Sequence, residues 1–457
     1  MLERGIMVKV FVLLIVLMIS SIYVYYNFLS IDTFIAFTKT HQVLLPWLSK
    51  LTSNTKQHDP FNNISTSTTI KTASNQGTST DVNLIKIQAN LSQKLDEVLQ
   101  NSTQQYSIII WEPPFGAKST NHLDQSKCGA CDVSYDKGKV NDSMTKAVVF
   151  HFNELRLNKM PQTRRLDQYY VWWSMEGPPA LRELRGMKLS EYDNVFNLTM
   201  TYRRDSDIYN PYSTAVDVLQ NIQSSGSGDP DKDLDQLISK KNAMVIWIVS
   251  NCGATKGAQT RMKLVQDLIN AGLPVDRRGG CFPKNKPAPR GQQLEIISEF
   301  KFYLAFENSY HCLDYITEKL SFNAFGGGAV PVVFGAKKSD YQAVVPPNSC
   351  IYVDDFTNLQ NLVNYLKYLD KNATAYKEYM KWRTMKPEEM PNYGRSTSLC
   401  QLCRVLHGIN VDNLFNPFYS ERYSSIPLFG HSSTPRVVTS LREWFYGPLS
   451  KDCLVNY

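Results

Sequence analysis

The chain has 457 residues, 43% of them hydrophobic and 12% aromatic, enough for two packed domains and too apolar for a mostly disordered chain. Lys and Arg outnumber Asp and Glu by 49 to 42, a net charge of +7. No dense basic tract concentrates that charge, so no nucleic-acid partner is expected, whereas a small anionic ligand suits it.

Val10 to Tyr26 is a run of seventeen residues without charge, extendable to Leu29, long enough to cross a bilayer as a helix. Arg4 and Lys9 precede it and no Lys or Arg comes close behind, an orientation with the N-terminus in the cytosol. The rival reading is a cleaved signal peptide with Ser20-Ser21 as its site. The run is long for such a segment, and Tyr23, Tyr25 and Tyr26 form an interfacial belt, so an anchor is the expectation. Residues 1–9 are then a cytosolic tail, 10–29 a membrane anchor and 30–105 a stem.

The stem is crowded with Ser, Thr, Asn and Gln between Ser49 and Val82, a spacer unable to bury a core. Leu84, Ile87, Leu91, Leu95 and Val98 then recur at helical spacing. The chain beyond the anchor is expected in the secretory lumen, where six sequons fit: Asn63, Asn90, Asn101, Asn141, Asn197 and Asn372. Nine cysteines would sit there under oxidising conditions. The odd count leaves at least one free or bonded to another molecule, and Cys453, near the end, is the candidate.

The globular head begins at 106. Ser107–Trp111, Ala147–Phe152 and Tyr169–Ser174 are short apolar runs alternating with polar helical stretches, the pattern of buried parallel strands in α/β units. Ser224 to Asp235, rich in Gly, Asp and Ser, reads as a solvated linker. Its Asp229, Asp231, Asp233 and Asp235 start a calcium-loop spacing, but Leu234 stands at the turning Gly and Lys240 at the closing Glu. A second series comes next: strand Ala243–Val249, helix Thr260–Asn270, strand Phe302–Phe306, helix Thr317–Phe325, strand Ala329–Phe334 and helix Leu359–Leu369. Gly326-Gly-Gly328 lies between helix and strand and reads as a C-cap. The expected architecture is α/β: two doubly wound sheets facing a cleft, one over 106–235 and one over 236–410, with 411–457 as an extension.

The densest segment runs from Phe302 to Leu320. Its strand ends at Phe306 and delivers Glu307 and Asn308 to the sheet's carboxyl edge, where open α/β sheets bind ligands. A loop comes next, then a helix capped by Asp314 or Thr317, whose N-terminus suits a diphosphate. Tyr315, Glu318 and Lys319 would share one face of it. Cys128-Gly-Ala-Cys131 and Cys400-Gln-Leu-Cys403 are open to a zinc site, a redox motif or disulfides.

Phe-Tyr-Leu-Ala-Phe-Glu-Asn-Ser309, Asp314-Tyr-Ile-Thr-Glu-Lys-Leu320 and Val330-Pro-Val-Val-Phe-Gly335 resemble the signature block of the inverting α1,3/4-fucosyltransferases. So do Val249-Ser-Asn-Cys-Gly253, Phe196-Asn-Leu-Thr-Met-Thr-Tyr-Arg-Arg-Asp-Ser-Asp-Ile208, Trp173-Ser-Met-Glu-Gly-Pro-Pro179, Val353-Asp-Asp-Phe356 and Cys400-Gln-Leu-Cys403, in consistent order over about 106 to 407. The resemblance implies a GT-B fold of two Rossmann-like domains, the acceptor side N-terminal and the GDP-fucose side C-terminal. It assigns Asn308, Tyr315, Glu318 and Lys319 to the donor site, with Lys319 on the pyrophosphate, Glu318 on the ribose and Asn308 and Tyr315 orienting the nucleotide. Arg261 matches an arginine that clamps phosphate, a task suited to its fork of donors. The loop from Asn308 to Tyr315 is one residue longer than in Lewis-type members.

His151-Phe-Asn-Glu154 resembles the family's His-His-Arg-Glu and makes Glu154 the expected catalytic base, departing from the pattern at Phe152 and Asn153. Glu176 is the alternative carboxylate. Asp205-Ser-Asp207 mimics an Asp-x-Asp metal site but lies in the family's Arg-x-Asp-Ser-Asp loop. No metal or other cofactor is therefore expected to be required, although a divalent cation is allowed a stimulatory role. The family implies disulfides joining Cys128 and Cys131 to Cys400 and Cys403. Of Cys252, Cys281 and Cys312, two supply one more bridge, and spacing leaves open which.

The expectation is thus a Golgi type II enzyme making an α1,3 fucosyl link to GlcNAc of an N-acetyllactosamine-like glycan on glycoprotein or glycolipid. Core fucosylation of N-glycans and a non-catalytic glycan-binding protein on the same scaffold are the alternatives.

Overall fold

The computed structural model describes residues 104–118, 123–390, 397–408, 437–447 and 453. The expected anchor, the stem with its 84–98 helix, the sequons at Asn63, Asn90 and Asn101, and most of 411–457 lie outside the described residues. Among the described residues no helix is long and apolar enough to cross a membrane.

Two parallel sheets carry the fold. The first contains β1 (Tyr106–Ile110), β2 (Cys131–Ser134), β3 (Thr145–His151), β4 (Tyr169–Ser174), β5 (Leu198–Thr201) and β6 (Ile208–Tyr209), in the order β2-β1-β3-β4-β5-β6. The second contains β7 (Ala243–Ile248), β8 (Val275–Arg278), β9 (Phe300–Phe306), β10 (Val330–Phe334) and β11 (Ile351–Tyr352), in the order β8-β7-β9-β10-β11. Counted within its own sheet, each begins 2-1-3-4-5, so each reverses direction between its first and third strands.

The apolar runs are continuous because both faces of each sheet are covered. In the first sheet Ile109, Val148, Phe150 and Trp172 enter one core while Ile108, Ile110, Val149 and Val171 enter another. In the second, Trp247, Leu304 and Val332 face one core and Ile246, Tyr303 and Val333 the opposite one.

The stretch read as a linker is instead helical. Thr214 and Asp217 form a reciprocal capping box that opens helix Ala215–Ser225. Gly228, at φ +88°, breaks the chain, and Asp229 then caps Lys232 N–H with Pro230 in the first turn of helix Pro230–Ser239. Leu234 is buried there. The acidic residues are a cap and a first helical turn rather than a solvated loop.

The division at 410 also differs from expectation. Helix Ser398–Leu406 returns to the first sheet, where Leu402 and Val405 join Ile108, Ile110 and Val171. Disulfides Cys128–Cys400 and Cys131–Cys403 fix it there, each spanning 272 residues. The extension contributes helix Leu441–Tyr446 to the same half: Phe445 meets Trp172 edge-on at 4.8 Å between centroids, and Arg203 Nη1 donates to Trp444 O at 2.6 Å.

Cys252 pairs with Cys281, and Cys312 with Cys453. The residue expected to be unpaired is therefore bonded, and the free thiol is the buried Cys350. Proximity in the sequence to the chain's end had no bearing, because the C-terminal segment joins the core that also holds Cys312. Of the three described sequons, Asn141 is exposed and Asn372 partly so. Asn197 is 1% exposed, and its Oδ1 accepts from Tyr170 N–H at 2.7 Å and from Arg164, so that sequon is closed in the folded chain.

Candidate active site

The second sheet reverses between β7 and β9, and Val249–Asn251 and Asn308, just beyond their carboxyl ends, open a cavity of about 680 Å³. Helix Lys256–Asn270 supplies one wall. Its cap, Thr255, accepts from Ala258 N–H at 3.1 Å and donates to Asn308 O at 2.7 Å, pinning the helix to the end of β9. Gly257 allows that approach, since a Cβ there would lie 2.4 Å from Asn308 O.

Arg261 projects from this helix and is 2% exposed. Nη1 donates to Phe306 O at 2.8 Å and Nη2 to Asn251 O at 3.0 Å, while the buried Nε has no partner. No carboxylate among the described residues pairs with it. Burial pulls its pKa down, opposed by the more distant Glu307. A buried guanidinium held by neutral carbonyls, with a donor to spare, is prepared for an anion.

Glu307 is almost wholly buried. Oε1 accepts from Thr317 N–H at 2.8 Å and its hydroxyl at 3.0 Å, and Oε2 meets Lys319 Nζ at 3.1 Å. Burial raises its pKa and Lys319 partly offsets the rise. Gly335 makes room for it, since a Cβ at this φ +144° glycine would lie 2.6 Å from Glu307 Cβ. Lys319 also reaches Glu318 Oε1 at 3.0 Å; burial opposes its charge, but Glu307 and Glu318 together raise its pKa. For Glu318 burial pushes upward, yet Lys319 prevails and holds its pKa low.

Neither Asp314 nor Thr317 caps the next helix. Thr317 is committed to Glu307, and Asp314 accepts from Arg204 N–H at 2.9 Å and Nε at 2.7 Å. The helix is a seven-residue π-helical segment, Lys319–Phe325, without a side-chain cap. The residues expected on one helical face converge without forming one: Tyr315 precedes the helix and only Lys319 lies within it.

The first domain completes the cavity with Glu176 and Tyr212. Tyr315 Oη donates to Glu176 Oε2 at 3.2 Å, and the neighbouring Gly177 lies so close that a Cβ would sit 3.3 Å from the Tyr315 ring. Burial raises Glu176, and Tyr315 and Lys319 only partly offset it. Arg204, with Asp314 and with Asp340 at 3.4 Å, ties the halves together nearby. Burial pushes Asp314 up to about 6 against the pull of Arg204.

All five residues expected at the donor, Arg261, Asn308, Tyr315, Glu318 and Lys319, line this one cavity. Glu154 does not. It lies in a separate small recess with Trp111, His151 and Lys159, and its oxygens are taken. His151 Nδ1 is 2.5 Å from Oε2, while Asn153 Nδ2 at 2.5 Å and Phe115 N–H at 2.8 Å donate to Oε1. Burial alone would raise Glu154, but these hydrogen bonds together lower it. Asp205 pairs with Arg203 at 2.8 Å, and Asp207 accepts from Thr199 N–H and Oγ1 at 2.8 Å each. Tyr212 was missed as a site residue, and Glu307, expected with Asn308 at the sheet's carboxyl edge, has a bracing role that no spacing reveals, its bond to Thr317.

Residues 103–213 match the family "Fucosyltransferase, N-terminal", and residues 238–418 match "Glycosyltransferase family 10 (fucosyltransferase) C-term". The chain is 36% identical over 302 residues to human 4-galactosyl-N-acetylglucosaminide 3-alpha-L-fucosyltransferase FUT6, covering 65% of this chain and 77% of that one. It is 35% identical over 302 residues to 3-galactosyl-N-acetylglucosaminide 4-alpha-L-fucosyltransferase FUT3 of Pan troglodytes, covering 65% and 74%. A crystal structure of an alpha1,3-fucosyltransferase with GDP-fucose aligns at 15% identity and a TM-score of 0.44, covering 75% of this chain and 99% of that one.

Proposed function

Because this chain belongs to glycosyltransferase family 10, the fucosyltransferases, we propose that it transfers fucose from GDP-fucose, with inversion, to GlcNAc in N-acetyllactosamine-like glycans, forming an α1,3 link. The observation that carries the donor assignment is Arg261, buried beside the β7 and β9 ends with an unpartnered Nε and, among the described residues, no carboxylate paired to it. A diphosphate supplies the missing charge. Lys319, whose charge is already met by Glu307, orients the phosphates as much as it neutralises them. Glu318, half-exposed at the cavity wall, accepts from the ribose hydroxyls, and Asn308 and Tyr315 orient the nucleotide.

Glu176 is the base in this reading. It lines the donor cavity from the acceptor domain, and its raised pKa brings it nearer the working pH, which favours a proton acceptor. Its carboxylate takes the proton of the attacking GlcNAc hydroxyl while that oxygen bonds to the anomeric carbon. The bond from that carbon to the phosphate oxygen breaks, and GDP leaves with the electron pair toward Arg261 and Lys319. The Tyr315 hydroxyl fixes the carboxylate during the transfer.

No divalent cation is required in this reading, because the leaving diphosphate meets the Arg261 guanidinium and the ammonium donors of Lys319, and Asp205 and Asp207 are committed to Arg203 and Thr199. The 10–29 run supports a single-pass type II anchor in the Golgi membrane, with the head lumenal. The test is to incubate the full-length chain with GDP-fucose and N-acetyllactosamine in the presence of chelator and determine the product linkage. An α1,3-fucosylated GlcNAc is expected; no transfer to this or any arrayed glycan would remove the assignment.

A further inference from the structure

The first sheet has its own reversal point, between β1 and β3, and open α/β sheets bind ligands in the crevice beyond the strand ends at such points. The second sheet's reversal point is filled by the donor cavity. At the first, the chain leaving β1 delivers Phe115 and the chain leaving β3 delivers Glu154.

Phe115 is unusual twice over. Its side chain is 63% exposed, and its backbone lies in the left-handed region at φ 51° and ψ 28°. Of the five non-glycine residues at positive φ among the described residues, the other four are Asn, Asp or His, the types that tolerate it. Its N–H donates to Glu154 Oε1 at 2.8 Å, and the buried His151 holds the opposite oxygen of the same carboxylate at 2.5 Å. The Phe115 ring meets His151 edge-on at 5.0 Å between centroids, leaving the rest of the ring to solvent. A strained backbone persists where its surroundings determine it, and such positions gather at ligand sites.

We propose that Phe115 is a stacking platform for the acceptor saccharide and that Glu154 is a positioning residue that holds the platform in place. This rests on the fucosyltransferase reading and assigns the part of the acceptor beyond the reacting sugar. Glu176 comes after β4, Glu154 after β3, and Phe115 after β1, which are consecutive neighbours in the sheet. With strands about 4.8 Å apart, the β1 end lies about 10 Å from the β4 end. That is the reach of a disaccharide laid along the sheet edge with its reacting hydroxyl at Glu176. A pyranose ring presents an apolar C–H face, and an exposed aromatic face is its complement.

The test uses the full-length chain, GDP-fucose and N-acetyllactosamine. Phe115→Ala should raise the acceptor KM by roughly 3- to 10-fold, the worth of an aromatic contact, with kcat and GDP affinity unchanged. Phe115→Trp should keep the parental KM. Glu154→Ala should reproduce the KM rise, and Glu154→Gln should rescue it, because the amide oxygen still accepts the Phe115 N–H; a merely structural role predicts no such split. An unchanged KM in Phe115→Ala overturns the platform alone, since the side chain is exposed and its truncation leaves the core intact. A kcat collapse in Glu154→Gln overturns the positioning role and makes Glu154 the base. A parent protein that transfers nothing overturns the enzyme reading and the platform with it.

Discussion

The two sheets repeat one strand order and therefore place a crevice at the same topological position, but they furnish it in different ways. The second sheet's crevice is charged and internally braced. Glu307 holds Thr317 and Lys319, and Arg261 is clamped by two carbonyls. The first sheet's crevice sets Trp111, Phe150 and His151 beside Glu112, Arg156 and Lys159, presents the exposed Phe115 ring, and has Glu154 committed to holding a loop. Topology fixes where a ligand lies, whereas the side chains decide whether the crevice suits an anion or a sugar face. Glu154 and Glu176 show the same contrast at closer range: two strand-end carboxylates, one lowered by hydrogen bonds and one raised by burial. Environments that push two carboxyls apart assign them different work.

The sharpest way to break this contrast is to neutralise each carboxylate in turn. Glu176→Gln should lower turnover by about 10²–10⁴-fold, the usual worth of a positioned general base, while Glu154→Gln stays within a few-fold. The reverse order, measured as initial rates at saturating substrates, would exchange their roles. Next in size is the anion crevice. Arg261→Lys keeps the charge but loses the fork, so GDP affinity by calorimetry should fall roughly 10- to 100-fold, and Phe115→Ala should leave it untouched.

Gly257→Ala tests the bracing of the second crevice. Its new methyl group meets Asn308 O, and the helix must shift at a cost of about 1–3 kcal/mol, read by denaturant unfolding. A fully stable variant would mean that the helix is not held against β9. The smallest expected effect is in pH dependence. A base with a raised pKa is charged only above that pKa, so kcat/KM should fall as pH drops through a point above 4.5, the ordinary value for Glu176. An acid limb below 4.5 would instead point to Glu154, whose pKa is lowered from the same value.

Much of this arrangement is legible in the sequence where a rule is local. Strands such as Tyr169–Ser174 declare themselves as unbroken apolar runs because both faces of the sheet are covered. Asn308, Tyr315, Glu318 and Lys319 follow closely on one apolar strand, so the strand marks their neighbourhood, but their roles, and Arg261 altogether, came from the family resemblance. The features that escaped depend on contacts between distant segments. Glu154 and Glu176 are both carboxylates three or two residues past a buried strand, and only the three-dimensional partners Phe115, His151 and Tyr315 separate them. Thr317 and Asp314 both look like caps, and each is claimed by a group remote in sequence, Glu307 or Arg204. The acidic composition of 229–235 concealed a helix because a capping Asp and first-turn carboxylates resemble a solvated loop until Leu234 is seen buried.

The pair of bridges from Cys128 and Cys131 to Cys400 and Cys403 bears on the order in which the molecule is made. Each joins residues 272 positions apart, so the first sheet is emitted early yet its covalent partners arrive late. At synthesis rates of 5–20 residues per second the delay is roughly 15–50 s. The second sheet, wholly contained in the interval, is complete before either bridge can close. During that wait Cys128 and Cys131 lack their native partners, and the thiols within reach are each other and those made in the interval, Cys252, Cys281, Cys312 and Cys350. The native pairing of Cys128 and Cys131 is thereby a record that the second sheet has already been made, because a chain stalled before Cys400 holds neither native partner.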